Sequence, residues 1–272
     1  MEQGEVETLI ILDGNPLFHA PVDSGFREAF ADIDFRAHLT SHVNETSRQC
    51  QWQVGASHYL EAWGDLRAFD GTVSIVQPLI QPLYKTVSRL EMLGFLAGKA
   101  GVSGLDLLKD HWQAHSLEAN FAIFWRKTLH DGFMAGTRFP QLTPKLRKIP
   151  ISSDFGKLME EDVVELQLLP DPMIDDGRFA NNGWLQESPR PISLLTWDNA
   201  ALVSPKTAKR LRLKKQRMAD FRLGELHLKL PVWILPGQAE NVITVHTGFG
   251  QKKLGRVANE AGFNAYLLST TQ

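Results

Sequence analysis

His58 and Glu61 stand three residues apart in "HYLEAWGD" (His58 to Asp65), the spacing of two metal ligands on one helix face. A zinc site needs at least three protein ligands. No His-rich partner stands nearby and Gly64 argues for a turn, so the favoured reading is a structural histidine. Gly14-Asn15-Pro16 follows a short apolar run, and a glycine turn at a strand's carboxyl end is where α/β folds bind ligands. The chain contains no GxGxxG and no GxxxxGK[ST], so a nucleotide fold of the usual kind is not supported. A serine hydrolase has no support either, because GxSxG is absent and "VSGL" (Val102 to Leu105) lacks the elbow pattern. In "LPVWILPGQAENVITVHTGFGQKKLGRVANEAGFNAY" (Leu230 to Tyr266), Gly237, Gly248, Gly250, Gly255 and Gly262 recur among polar residues. Glycines at that density let backbone N–H groups approach a phosphate or a polar ring. They also suit the corners of a tightly bent small barrel, which is the preferred reading on physics alone.

The elements that must hold these residues begin with Leu9 to Leu12, a continuous apolar run ended by Asp13-Gly14-Asn15-Pro16, as a buried parallel strand would be. "DSGFREAFADI" (Asp23 to Ile33) places Phe26, Ala29, Phe30 and Ile33 on one helical face, and Asp34 to Ser41 reads as a second strand. Strand, helix and strand make a βαβ unit. Gln51 to Pro82 has no clear period and reads as irregular chain. Leu83 to Ala100 predicts an amphipathic helix with Val87, Leu90, Leu93 and Leu96 inward. Ser103 caps a helix with Asp106 in the capping-box position, and Glu118 to Gly132 predicts a helix stopped by its glycine. From Phe139 to Pro172 five prolines punctuate the chain, around a strand at Val163 to Leu169. The short runs "ISLLTW", "LPVWIL", "NVITVHT" and "FNAYLLST" then predict a mainly β region. It is interrupted by one helix, capped by Ser204 with Pro205 at its first position.

Composition narrows the function classes. The 272 residues carry a net charge of −2, with 22% charged and 43% hydrophobic residues, so no global field attracts nucleic acid or acidic lipid. Eight of the seventeen residues from Lys206 to Arg222 are basic; a solvated face is favoured over contact with an anion or acidic partner. The single cysteine, Cys50, excludes an internal disulfide, a Cys-only zinc site and an iron–sulfur cluster. No apolar run is long enough to span a bilayer and no export signal is visible. Opening almost at once on a strand is the pattern expected of a fragment or of one half of a larger protein.

"DGRFANNGWLQE" (Asp176 to Glu187), "PISLLTWDNAALVSPKTAKRL", "PVWILPGQAENVITVHTGFG" and "GRVANEAGFNAY" together resemble the carboxy-terminal part of the molybdopterin oxidoreductase superfamily. The resemblance is closest to the molybdopterin-oxidoreductase-like half of the iron–sulfur subunit of alternative complex III, a bacterial quinol-oxidising respiratory complex. Gly14, Asn15, Pro16, Glu45, Thr46, Glu61 and Gly64 fall on the superfamily pattern in the amino-terminal part. The match covers most of the chain except roughly Leu105 to Asp175. It implies an α/β fold: a partial Rossmann-like parallel α/β domain with a helical extension (1–138), a linker or crossover (139–175) and a double-psi β-barrel domain (176–272). It also implies that Trp184 and Trp197 are buried anchors of the segment that wraps the barrel's mouth.

In active relatives that barrel cradles a molybdopterin guanine dinucleotide. If a dinucleotide binds here, the expected contacts are Asn15 at a strand's carboxyl end and Asn199, Gly237, Gln238 and Asn264 in turns whose amides can read a purine edge; turn chemistry is the competing account of all five. The departures point away from catalysis. "KKQRMADFRL" (Lys214 to Leu223) replaces the usual Gly-Asp-type turn, no metal-ligating position lies within the chain, and the cluster cysteines are missing. The expectation is a cofactor-free, non-catalytic part of an electron-transfer subunit, partnered by an iron–sulfur domain and a cytochrome subunit at the periplasmic face of the membrane. The alternative is the pterin-binding part of an active molybdenum or tungsten oxidoreductase.

Overall fold

A computed structural model describes residues 1, 3–116, 118–147, 163–252 and 254–271; the expected linker (139–175) lies in part outside them. The chain divides into two compact units. One is discontinuous, built from residues 1–38, 42–53 and the described residues beyond 162. The other, central unit comprises residues 39–41 and the described residues from 54 to 147.

The apolar run forms strand β1 (Thr8–Leu12). It ends where Asp13 and Gly14 both take left-handed backbone, φ 80° and 87°, and Pro16 opens the single-turn helix α1 (Pro16–His19). The predicted long helix shortens to α2 (Phe26–Ala31), entered through a left-handed Gly25. Its exposed carboxyl end is closed by Arg36, which donates to the Phe30 and Ala31 carbonyls at 2.8 and 3.1 Å, satisfying acceptors that no helical N–H can reach. Strand β2 (Phe35–Thr40) lies between β1 and β3 (Trp52–Gly55) in a three-stranded sheet.

The central unit corrects the reading of Gln51 to Pro82 as irregular. Strands β4 (Gly64–Arg67) and β5 (Val73–Val76) pair antiparallel. Val73 and Ile75 point inward, a period of two that is only two residues deep and therefore faint in sequence. Helix α3 (Arg89–Leu96) starts six residues later than predicted. Ser88 and Glu91 form a reciprocal capping box there, and the segment before it, broken by Pro78 and Pro82, runs as bends and irregular chain rather than helix. Leu93 and Leu96 are exposed rather than inward. Gly94 is the buried position, tight against Leu107 of α4 (Gly104–His115). Ser103 caps α4 as expected, accepting from the Asp106 N–H. Helix α5 (Phe121–Asp131) stops at left-handed Gly132, and β6 (Phe133–Met134) adds to β5. Val73, Ile75, Leu108, Trp125 and Met134 form this unit's core.

The discontinuous unit resumes with β7 (Glu165–Pro170), α6 (Gly183–Glu187), β8 (Ala201–Val203), α7 (Pro205–Arg210), β9 (Met218–Leu223), β10 (Leu226–Ile234) and β11 (Val242–Thr247). The five strands run in the order β7-β11-β8-β10-β9. β11 is parallel to β7 and antiparallel to β8, while β10 is parallel to β8 and antiparallel to β9. Ala201, Val203, Leu230, Val232, Ile243 and Val245 fill its core. Two expected strands do not form. "ISLLTW" is a turn in which Arg190 N–H donates to the Leu195 carbonyl and Leu194 N–H to the Arg190 carbonyl, at 3.1 and 3.0 Å, so the backbone is satisfied locally. "FNAYLLST" is a 3-10 turn over Ala265–Leu268, because the Asn264 side chain accepts the Tyr266 N–H and starts it. Conversely, the departure stretch Lys214 to Leu223 supplies β9.

Candidate functional site

The carboxyl end of β1 gathers polar groups from both ends of the discontinuous unit. Asn15 sits at the centre. Its Oδ1 accepts from the Thr46 N–H and hydroxyl at 3.1 and 2.8 Å. Its Nδ2 donates to Glu45 Oε2 at 2.7 Å and to Gln251 Oε1 at 3.4 Å. A carboxamide offers two donor protons and two acceptor lone pairs, so all four are used. Glu45 continues the link, its Oε1 accepting the Lys252 N–H at 2.8 Å. Buried Gln251 donates to the Gly177 carbonyl at 2.9 Å.

Charge converges beside it. Arg178 donates to both oxygens of Asp176, at 3.0 and 2.8 Å, lies 3.3 Å from Asp175 and feels Asp13. The Asp176 carboxyl is held below its ordinary pKa; its burial, the largest effect, acts the other way and is outweighed by hydrogen bonds from Arg178. His19 accepts the Asn15 N–H at 3.2 Å, and the Tyr266 hydroxyl donates to the Asp176 carbonyl. Asp13 and Asp175 carry positive φ, a strained backbone for a residue with a side chain.

Three histidines in this unit are held below their ordinary pKa by burial: His19 beside Asp176 and Arg178, His38 beside Asp13, and His246 beside Asp171 and Arg190. His38 on β2 is fully buried. The Gly14 backbone bears on its ring, yet neither ring nitrogen reaches full hydrogen-bond geometry. The unfolded chain binds these protons first, so this stability is complete above pH ~6.5 and is lost as pH falls below that value. The denaturant midpoint is therefore expected to fall between pH 7.5 and 5.5, ~1 pH unit either side of the free histidine value, and to fall less in His38→Leu. A flat profile across that window would contradict the buried neutral imidazoles.

The other sequence-derived positions scatter. Asn199 is buried and held by three bonds: Nδ2 donates to the His246 and Phe263 carbonyls at 2.7 and 3.0 Å, and Oδ1 accepts the Phe263 N–H at 2.8 Å. Asn264 caps the 3-10 turn that follows, so these two meet around Phe263. Gln238 donates to Thr244 Oγ1 at 2.8 Å, and that hydroxyl passes the chain on to Gln167 across the β11–β7 pair. Gly237 is a left-handed turn residue with open space where a side chain would stand. A cleft of about 560 Å³ lined by Val6, Ala20, Pro21, Phe26 and Ala29 contains none of the five. Gln251 carried no spacing signal because its partners lie far away in sequence; Asp176 and Arg178 pair only two residues apart, but a short-range ion pair of this kind is ordinary on a surface turn and marks no site.

His58 and Glu61 have a structural task. His58 Nδ1 accepts the Leu60 N–H, while Glu61 Oε2 accepts the His58 N–H and Oε1 the Leu83 N–H. No group of three or more metal-ligating side chains occurs among the described residues. The basic stretch is partly paired, with Lys206 on Glu240 and Arg222 on Asp220.

The tryptophan anchors are overturned. Trp184 is 85% exposed and Trp197 38%. The segment is instead pinned by polar groups. Arg190 makes a two-pronged ion pair with Asp171 at 3.0 and 3.1 Å, with both side chains at most 3% exposed. Its guanidinium also lies over the Phe249 ring. Gln186 is buried and donates to the Ala180 carbonyl, and Asn182 caps α6. Ile174, Ala180, Phe249, Leu254 and Ala258 complete the packing.

No protein-family model matches the chain. It is 28% identical over 121 residues to the menaquinone reductase molybdopterin-binding-like subunit of Nitratidesulfovibrio vulgaris, covering 41% of this chain and 18% of that protein. It is 32% identical over 107 residues to the arsenate respiratory reductase molybdopterin-containing subunit ArrA of Shewanella sp. ANA-3, covering 38% and 12%. The similarity is to the molybdopterin oxidoreductase superfamily. The fold agrees: acetylene hydratase from Pelobacter acetylenicus superposes with a TM-score of 0.61 at 13% identity, over 96% of this chain and 40% of that one. The mixed α/β architecture, with parallel and antiparallel strand pairs, is thus similar to that of a solved molecule. The chain spans less than a fifth of the length of these two curated relatives. No helix among the described residues is long and apolar enough to cross a membrane.

Proposed function

We propose that this chain is a non-catalytic, molybdopterin-oxidoreductase-like scaffold within an electron-transfer subunit of a quinol-oxidising respiratory complex, of the alternative complex III kind. Its neighbours there are an iron–sulfur domain and a cytochrome subunit, on the periplasmic side of the membrane. The reading includes a Rossmann-like first part and a double-psi barrel in the last part, and it draws on the similarity to a subunit of menaquinone reductase.

The observation that carries it is the internal use of the amides. Asn15 has no bond left to offer a purine edge, and Asn199, a buried residue, has both amide protons committed and keeps only one acceptor position on Oδ1. A dinucleotide also brings negatively charged phosphates. Arg178, the nearby cation, is already engaged by Asp175 and Asp176, and Asp13 and Glu45 stand at the same end of β1. Like charges at this range repel. The residues at this end do not fit a pterin guanine dinucleotide, and we assign no chemistry to it here. The alternative, a pterin-binding part of an active oxidoreductase, draws on the molybdopterin-containing relative and on the open turn at Gly237.

Elemental analysis of the intact native protein separates the two. The scaffold reading expects molybdenum and tungsten far below stoichiometric and no pterin fluorescence after oxidation. Stoichiometric metal with pterin would reject it.

A further inference from the structure

Helix α4 carries His111 and His115 on one exposed face, one turn apart. Their ring centres lie 4.4 Å apart, with the planes 30° from parallel. Two imidazole nitrogens each about 2 Å from one ion, at a right angle to each other, put their ring centres about 4.5 Å apart. Both rings are also held in place. The His115 Nδ1–H donates to the His111 carbonyl at 2.7 Å. A carbonyl oxygen can only accept, so this bond puts the proton on Nδ1 and leaves the lone pair of the neutral ring on Nε2. Metal-ligating histidines are anchored in this way, with the second ring N–H on a carbonyl or carboxylate that fixes the tautomer. The His111 ring meets Trp112 nearly perpendicularly, 5.1 Å between centres and 87° between planes. That indole is itself fixed, since its N–H donates to Asp65 at 2.9 Å and its rings pack on the core of the central unit. Ordering two exposed side chains costs rotamer entropy, and here it is spent before any ion arrives.

We propose that His111 and His115 form an exchangeable, two-imidazole site for a late first-row divalent metal ion, copper(II) foremost. Imidazole suits copper, nickel and zinc, whereas magnesium and calcium take oxygen ligands, and copper(II) heads the affinity order. Asp110, the carboxylate adjacent in sequence, is ion-paired with Lys99 at 3.7 Å. No group of three or more ligating side chains occurs among the described residues. Water therefore fills the remaining positions. That suits the tetragonal shell of copper(II) and an ion that comes and goes, not a structural zinc, which needs more protein ligands. His58 differs in kind, because its Nδ1 is spent accepting the Leu60 N–H. The site lies wholly within the central unit and does not depend on the scaffold reading.

The test titrates the full chain, stripped of metal by a chelator, with copper(II). The expected result is a tightest site that holds a single ion per chain at micromolar copper, with a pulsed electron paramagnetic resonance spectrum showing two equatorial imidazole nitrogens. That spectrum needs no variant, so it decides the matter even if a substitution perturbs folding. His111→Ala and His115→Ala should each weaken this site about a hundredfold, because the second contact of a linked pair is an intramolecular one. Their metal-free melting temperatures should change little, since both side chains are exposed. His115→Ala with Gln113→His keeps the number of histidines but turns one to the opposite helix face, and it should not restore binding. No binding at micromolar copper, a spectrum with fewer than two imidazoles, or an affinity unchanged in the single variants or restored in the double one would each overturn the proposal.

Discussion

Arg190→Ala is expected to destabilise the discontinuous unit by about 3–5 kcal/mol, because it leaves the buried Asp171 carboxylate without its partner. The loss extends past the ion pair. Arg190 also donates to the Gln186 and Leu195 carbonyls, at 3.3 and 3.4 Å, and covers Phe249 at 4.9 Å. The informative companion is Arg190→Met with Asp171→Asn. Asparagine keeps the Oδ1 acceptor that Asp171 offers to the Met173 and Ile174 N–H groups, and methionine refills the apolar volume. This double variant should recover most of the loss, since a buried pair exchanged for neutral groups of similar shape is often near neutral. Denaturant titration of the three proteins reads the result. A single variant within about 1 kcal/mol of wild type would show that the pair does not hold the segment.

Gly250→Ala is expected to cost at least about 3 kcal/mol, combining overpacking with a disfavoured backbone. Gly250 has φ 78°, and an added Cβ would press on the Asn264 nitrogen and stand 2.7 Å from the Phe263 carbonyl carbon. Both are backbone atoms of a segment fixed by Asn199, so neither can move aside cheaply. Gly237→Ala is the control. It shares a left-handed φ of 92° but meets nothing within 4 Å, so only the conformational cost of about 1 kcal/mol applies. Thermal melts of the two variants test the contrast; equal shifts would mean that close packing at Gly250 plays no part.

That contrast marks where sequence reading stopped. Both glycines sit in the same polar, glycine-rich stretch, and nothing local distinguishes a corner pressed against backbone from one open to solvent. Elements with local signals were legible. Ser103 and Ser204 cap their helices with their own side chains, Gly132 stops α5, and the apolar runs at β1, β10 and β11 are strands. The β4–β5 hairpin was missed because only Val73 and Ile75 carry its pattern, and β9 because its basic residues read as a solvated face. Trp184 and Trp197 misled for a general reason: aromatics in a turn-rich segment suggest anchoring, but which side faces inward is decided by Asp171, nineteen residues before Arg190. In the candidate site Asn15 was legible from its turn, and Glu45 and Thr46 only through the family pattern, since Thr46 and Gln251 lie 31 and 236 positions from Asn15.

The separation of those partners has a consequence for how the molecule comes into being. β7 closes on a strand 77 residues later, Asn15 on Gln251, and the Asp23 carboxylate on the backbone and hydroxyl of Thr271, 248 positions along. Such distant closures are entropically slow. The β1-β2-β3 sheet joins strands close in sequence and can form early, whereas Asn15 and Asp23 stay without Gln251 and Thr271 until those residues have left the ribosome, so the polar closures of this unit come after its first sheet.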